Sequence, residues 1–396
     1  MSRTGRLGLI VLFAIVPLYG TFAALDPDRP PIPPLVPAPV TVLCGLCTLA
    51  ALAAIVPAAL RALRRDALTF GFLAPGVATL LAGFAGFDPA LGIGLGVGVT
   101  GVGAVGLALA REGDAVAVRQ CLRAFSWSAL TACLIALAMV AAHRPAAIYA
   151  YDNGRAVGTF LNPNELAAYT LIALGVAVPL AVRTRGRDRL AAACAVAALV
   201  TLGATFSRWG ALSAVCGVAI YALVSRTRLL LVAAAAVAVV GIGLDVTAGA
   251  RHHNPRDTEA REVAWQTGLT TFERFPLLGV GPLAYGRTYD VMRPPDAPGA
   301  KTAVAFDPHS LPIAFAAEGG IIALVTLTAS FVILLGRLLH DARNARPFSR
   351  AVALGAGAAV VALTIDGAIN TISLYFPLGL QFVALGLAVV RTDAFD

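Results

Sequence analysis

Apolar residues fall in blocks of about 17 to 25 along the whole chain, separated by short polar breaks, and each block can cross a hydrocarbon core of roughly 30 Å as a helix. The pattern predicts about twelve spans, near residues 7–25, 38–60, 67–87, 89–110, 121–142, 164–182, 189–206, 209–225, 228–248, 309–336, 351–370 and 374–391. The fold class is therefore an all-α integral membrane protein, and residues 1–396 form a single polytopic membrane domain. Arg3 and Arg6 precede the first block as they would in a secretion signal. Asp26, Pro27, Asp28 and Pro30 follow it without a small-residue cleavage site, so it is retained as the first span.

The largest polar break, residues 249–308, has structure of its own. Asp257 or Thr258 can cap a helix over 257–275 that Pro276 ends. Its spacing brings Arg261, Trp265, Gly268 and Phe272 onto one face, and the helix is expected on the membrane surface with Trp265 at the interface. Pro276, Gly279, Gly281 and Pro282 then form a rigid turn, and 293–299 is an irregular Pro-rich stretch.

Composition agrees: 58% of residues are hydrophobic and 13% charged, with a mean hydropathy of +0.81. The net charge of +8 would raise the question of nucleic acid in a soluble protein. Here it sorts by topology instead. Alternate connections carry Arg61, Arg64 and Arg65; Arg111, Arg119 and Arg123; Arg183, Arg185, Arg187 and Arg189; Arg226 and Arg228; and Arg337, Arg343, Arg346 and Arg350. The positive-inside rule makes those connections cytoplasmic, and Arg3, Arg6 and Arg391 put both termini with them. The six cysteines all lie in apolar segments, so no disulfide framework is indicated, and Cys44 and Cys47 have redox spacing without a thioredoxin-like context.

The opposite face receives what that rule leaves over: a polar loop from His143 to Pro163, the break at Ser207 and Arg208, and the 249–308 loop with its seven basic residues. Arg208 stands between two apolar runs, where an arginine costs about 2.5 kcal/mol or more unless it snorkels or is paired. Its planar fork suits a phosphate. Arg261 shares a helical face with Trp265, although most loop arginines are simply solvated. His309 opens a span, where a neutral imidazole either sits as an interfacial polar group or takes a proton from a hydroxyl. Glu318, more than two turns deeper and before Gly319 and Gly320, pairs with an arginine or satisfies neighbouring polar groups. The glycines at 92, 94, 96, 98, 101, 103 and 106 lack the strand that a nucleotide fingerprint requires, and read as helix packing. His252 and His253 lack a ligand set, so no metal and no cofactor is expected.

Four segments, in this order, resemble the O-antigen ligase and polymerase superfamily of bacterial envelope glycan enzymes, including related protein O-oligosaccharyltransferases. They are Gly158-Thr159-Phe160-Leu161-Asn162-Pro163-Asn164, Ser207-Arg208-Trp209-Gly210, Arg261 to Trp265 with Phe275 to Gly281, and His309-Ser310 through Glu318-Gly319-Gly320. The resemblance covers about residues 150 to 340; the first five spans match in topology alone. It implies a lipid-dependent glycosyltransferase of GT-C-like architecture in the inner membrane, with its site facing the periplasm. The donor would be an undecaprenyl-diphosphate-linked glycan, the acceptor a lipid A core or another glycan, and the surroundings membrane lipid, with no nucleic acid. By the same resemblance Arg208 and Arg261 engage the donor diphosphate and His309 is base or phosphate contact. Glu318, Asn162, Asn164, Trp265 and Arg287 are supporting candidates.

Within the superfamily the acceptor distinguishes ligase, polymerase and protein O-glycosylation. One dominant loop just before the histidine span favours ligase. A transporter or flippase for an anionic lipid-linked solute is the reading from another class, with Asp245, Arg208, Glu318 and Asp366 as its membrane charges. It lacks an inverted repeat, and its polar residues gather at one face. A purely structural scaffold gains nothing from Arg208.

Overall fold

The computed structural model describes residues 1–18, 38–144, 154–160, 162–226, 256–295, 307–370 and 375–395. Among them all regular structure is helical. The elements are α1 (Arg3–Ile15), α2 (Ala38–Ala62), α3 (Ala67–Ala85), α4 (Pro89–Glu112), α5 (Ala115–Ala142), a 3-10 turn (Gly158–Phe160), α6 (Pro163–Arg183), α7 (Arg189–Ala204), α8 (Arg208–Ser225), α9 (Arg256–Arg274), α10 (Tyr285–Met292), α11 (Leu311–Ala342), α12 (Pro347–Gly367) and α13 (Tyr375–Thr392).

Eight of these are long and apolar enough to cross a membrane, fewer than the twelve spans expected. The difference has a local origin. Helix α7 has 16 residues and α1 has 13, both short of a full hydrocarbon crossing, while Pro377–Thr392 is likewise a shorter apolar helix. The expected span at 228–248 lies outside the described residues, as do Asp245, His252, His253 and Lys301.

Aspartates set many of the helix starts. Asp66, Asp88, Asp114 and Asp188 each accept a backbone N–H in the first turn of α3, α4, α5 and α7, satisfying donors that the helix leaves orphaned. The cap at Asp114 starts α5 six residues before the expected span, so Arg119 and Arg123 stand on helix and not in a connection. The glycines of α4 split by face. Gly92, Gly96 and Gly103 lie against the backbone of α3 at Gly83, Leu80 and Phe72, whereas Gly94, Gly98 and Gly101 face open space. Small residues on one side let the two helices approach, as membrane packing requires.

The core lies where α1, α5, α6 and α13 meet. Phe125 stacks edge-on to Phe382 at 4.6 Å and to Tyr169 at 5.5 Å, and Phe160 reaches Tyr169 at 4.9 Å. At one end of this bundle Arg6 pairs with Asp114 at 2.9 Å, Arg61 with Glu112 at 3.5 Å, Arg111 with Asp66 and Arg346 with Asp393 at 3.6 Å. The Arg111 hydrogen bond holds the Asp66 carboxyl down to about 2. The other end carries the starts of α6, α8 and α11, the end of α7, and both α9 and α10.

Candidate functional site

The chain enters α11 through a strained residue. His309 has φ of 50°, a left-handed conformation that histidine tolerates better than most residues but that needs local support. Asp307 supplies it: one carboxylate oxygen accepts the His309 backbone N–H at 2.7 Å and stands 3.4 Å from Nδ1. On the other side the Trp265 indole donates to the His309 carbonyl at 3.4 Å. The imidazole itself stays 43% exposed. With Asp307 on the Nδ1 side, Nε2 is the imidazole nitrogen left for a hydroxyl.

Trp265 reaches His309 because α9 packs on the start of α11. A Cβ at Gly268 would collide with the Ile313 side chain and lie 3.4 Å from Pro308, and the Tyr285 hydroxyl donates to the Ala264 carbonyl at 2.7 Å. Val263, Ala264, Thr267 and Thr271 are buried. The helix expected over 257–275 thus packs against the protein, with the Trp265 indole on the histidine backbone. Its start is Arg256, ahead of either residue expected to cap it. Arg261 is half-buried, one turn before Trp265.

The glycine motifs form a backbone lock below this mouth. Gly320, at φ 65° and ψ −165°, interrupts the α11 hydrogen-bond ladder and releases two carbonyls. Ala317 then accepts from Val280 N–H at 3.0 Å, Glu318 from Gly281 N–H at 2.9 Å, and the freed Ile321 N–H donates to Pro276 at 2.8 Å. Gly279 and Gly320 both have positive φ, and a Cβ on either would strike the opposing backbone, at Glu318 and Leu277 respectively. Only glycine meets both demands. The Glu318 carboxylate accepts the Tyr285 backbone N–H at 3.4 Å and also that of Leu283, at the start of α10. Of the two roles open to it, satisfying polar neighbours is the one the structure displays.

Arg287 is turned elsewhere. It pairs at 2.6 Å with Asp88, the α4 cap, while Phe87 N–H donates to the Val280 carbonyl at 2.9 Å. Bonds from Leu91 N–H and from Arg287 hold the Asp88 carboxyl below the usual carboxylate range. These contacts clamp the loop to the α3–α4 turn.

A second group surrounds the α7–α8 break. Ser207 caps α8 by accepting Gly210 N–H at 3.2 Å and donates to the Asn164 side-chain oxygen at 3.0 Å. Arg155 donates to that same oxygen at 3.2 Å and to the Thr205 carbonyl at 2.7 Å. Asn162 is the α6 cap, accepting Asn164 N–H at 2.8 Å. Arg208 follows as the first residue of α8 and is exposed. A cation there opposes the helix dipole, so helix stability does not explain it; together with the first-turn amides it favours an anion. Arg155 and Asp307 were not singled out from sequence. Arg155 had a signal, a positive charge in a loop that the topology rule leaves unexplained. Asp307 had only its place two residues before His309.

Both groups therefore occupy one end of the bundle, and α12 packs against both α8 and α11. No curated protein matches the chain. Residues 193–328, which contain Arg208, Arg261, His309 and Glu318, match the family model described as O-Antigen ligase, and this match supports placing the chain in the O-antigen ligase and polymerase superfamily.

Proposed function

We propose that this protein is an O-antigen ligase of GT-C-like architecture that transfers a glycan from undecaprenyl diphosphate to the lipid A core at the periplasmic face of the inner membrane. The observation that carries the reading is the mouth of α11. His309 is held there by Asp307 and by Trp265, the latter on the helix that bears Arg261, and Arg208 opens α8 at the same end of the bundle.

The acceptor hydroxyl oxygen attacks the anomeric carbon as the bond from that carbon to the diphosphate oxygen breaks. The bonding pair leaves with the diphosphate, and the hydroxyl proton passes to His309 Nε2. Asp307, 3.4 Å from Nδ1, stabilises the imidazolium that forms. Arg208 and Arg261 meet charge that grows on the leaving diphosphate, so they stabilise the transition state more than the ground state. Attack opposite the leaving group inverts the anomeric centre.

The acceptor is tested by incubating purified protein with a polyprenyl-diphosphate glycan and, separately, rough lipopolysaccharide, a second lipid-linked repeat, or a secreted protein. Transfer to lipopolysaccharide is the expected result. Transfer only to the lipid-linked repeat makes the protein a polymerase, and transfer only to protein makes it an O-oligosaccharyltransferase. No transfer to any acceptor, alongside gradient-driven movement of the lipid-linked glycan, returns the transporter reading.

A further inference from the structure

Opposite the His309 end, the α6–α7 connection and α5 border an open hollow of about 990 Å³. Arg183, Arg185, Arg187 and Arg189 line it from the connection, and Arg123 from α5, with Trp127 and Leu190 beside them. Asp188 is the acid in this lining, and its carboxylate is engaged in capping α7 at Ala191 N–H, 3.1 Å away.

Topology alone explains arginines at this end, but not their state around the hollow. Elsewhere at the same end Arg6, Arg61, Arg111, Arg337 and Arg346 each meet a carboxylate. Among the described residues no ion pair joins Arg123, Arg183, Arg185, Arg187 or Arg189 to an acid. Five like charges drawn from two separate segments repel one another, and a bound anion relieves that repulsion. The hollow's volume lies within the range of small-ligand sites, about 300–1,000 Å³.

The surroundings say where the anion comes from. Trp127 lies one turn from Arg123 and is 61% exposed, as an indole at the boundary of headgroups and hydrocarbon is. Guanidinium forks match phosphate oxygens. Five arginines against Asp188 leave more charge than one phosphodiester neutralises. We infer that the hollow binds the headgroup of an anionic phospholipid carrying two phosphodiesters, with Trp127 and Leu190 against its acyl chains. The site is distinct from the transfer centre and stands whether or not the transfer reading does.

The test uses the full chain in phosphatidylcholine nanodiscs, titrated with tetraoleoyl cardiolipin, dioleoyl phosphatidylglycerol or sodium phosphate, with retained lipid read by native mass spectrometry. Cardiolipin is expected to bind at least about tenfold more tightly than phosphatidylglycerol. Arg185→Gln/Arg187→Gln should weaken it about tenfold, while Arg64→Gln/Arg65→Gln, exposed at the same end but outside the hollow, changes it less than about twofold. Should the double variant not insert, Arg187→Gln alone is read in the same way with about a threefold loss. Equal weakening by the control, no weakening by the hollow variants, no preference for cardiolipin, or binding of phosphate without lipid would each overturn the inference.

Discussion

The arginines at the two ends of the bundle have different neighbours. At the end away from His309, Arg6, Arg61, Arg111 and Arg346 are matched by Asp114, Glu112, Asp66 and Asp393, and Arg119 and Arg391 donate to backbone carbonyls. At the end that bears His309, Arg155 is tied to a neutral amide and a carbonyl, and Arg208 sits where the helix dipole already favours an anion. Arg287 meets Asp88 there, and its contacts clamp the loop. Each of these ion pairs joins two segments of the chain and so holds structure. The arginines of the α6–α7 hollow break this pattern at the far end, where no ion pair joins them to an acid among the described residues.

The largest effects should come from the groups assigned to the reaction. His309→Ala is expected to lower the transfer rate by about 10²–10⁴, and Arg208→Ala or Arg261→Ala by about 10²–10³, measured on protein that elutes as wild type. Gly320→Ala comes next. It forces a side chain into a left-handed position against the Leu277 backbone, and a cost of at least about 2 kcal/mol should lower the thermal midpoint and open the loop to protease.

Asp307→Asn isolates orientation from chemistry. It keeps an acceptor for the His309 N–H but loses the carboxylate near Nδ1, so kcat should fall about tenfold with little change in KM for the donor. A purely structural role for Asp307 would instead lower the thermal midpoint and leave kcat of the folded protein within about twofold. The smallest effects belong to the structural pairs. Arg287→Ala should leave transfer within about twofold. The Asp66 pair contributes stability that is complete above the unfolded carboxyl value near 4 and is lost as pH falls through about 2, so Asp66→Asn should flatten acid unfolding in that window.

Long apolar blocks are legible because unbroken hydropathy runs through them: α4 begins where the pattern places it, and α6 differs by one residue at each end. Helix α7 was read too long because Thr205 and Phe206 are apolar enough to continue the block while their backbone turns to make the Ser207 cap. The candidate site was legible as residue types on one face, but not as contacts. The pairing of Pro276–Gly281 with Ala317–Ile321 is made by backbone groups, which leave no side-chain pattern beyond the glycines they require. For the same reason the contacts of Asn162, Glu318 and Arg287, a cap, a carboxylate on backbone amides and a loop clamp, have no signature in the sequence. Helix α10, eight residues long, is too short to show a period.

The most direct measurement compares initial rates of glycan transfer from a polyprenyl-diphosphate donor for Arg208→Ala/Arg261→Ala and for Arg64→Gln/Arg65→Gln, each reconstituted in the same lipid. A loss of at least about 100-fold is expected for the first and a change within about twofold for the second. Equal losses, or full activity in the first, would contradict a transfer centre built on arginine at the His309 end.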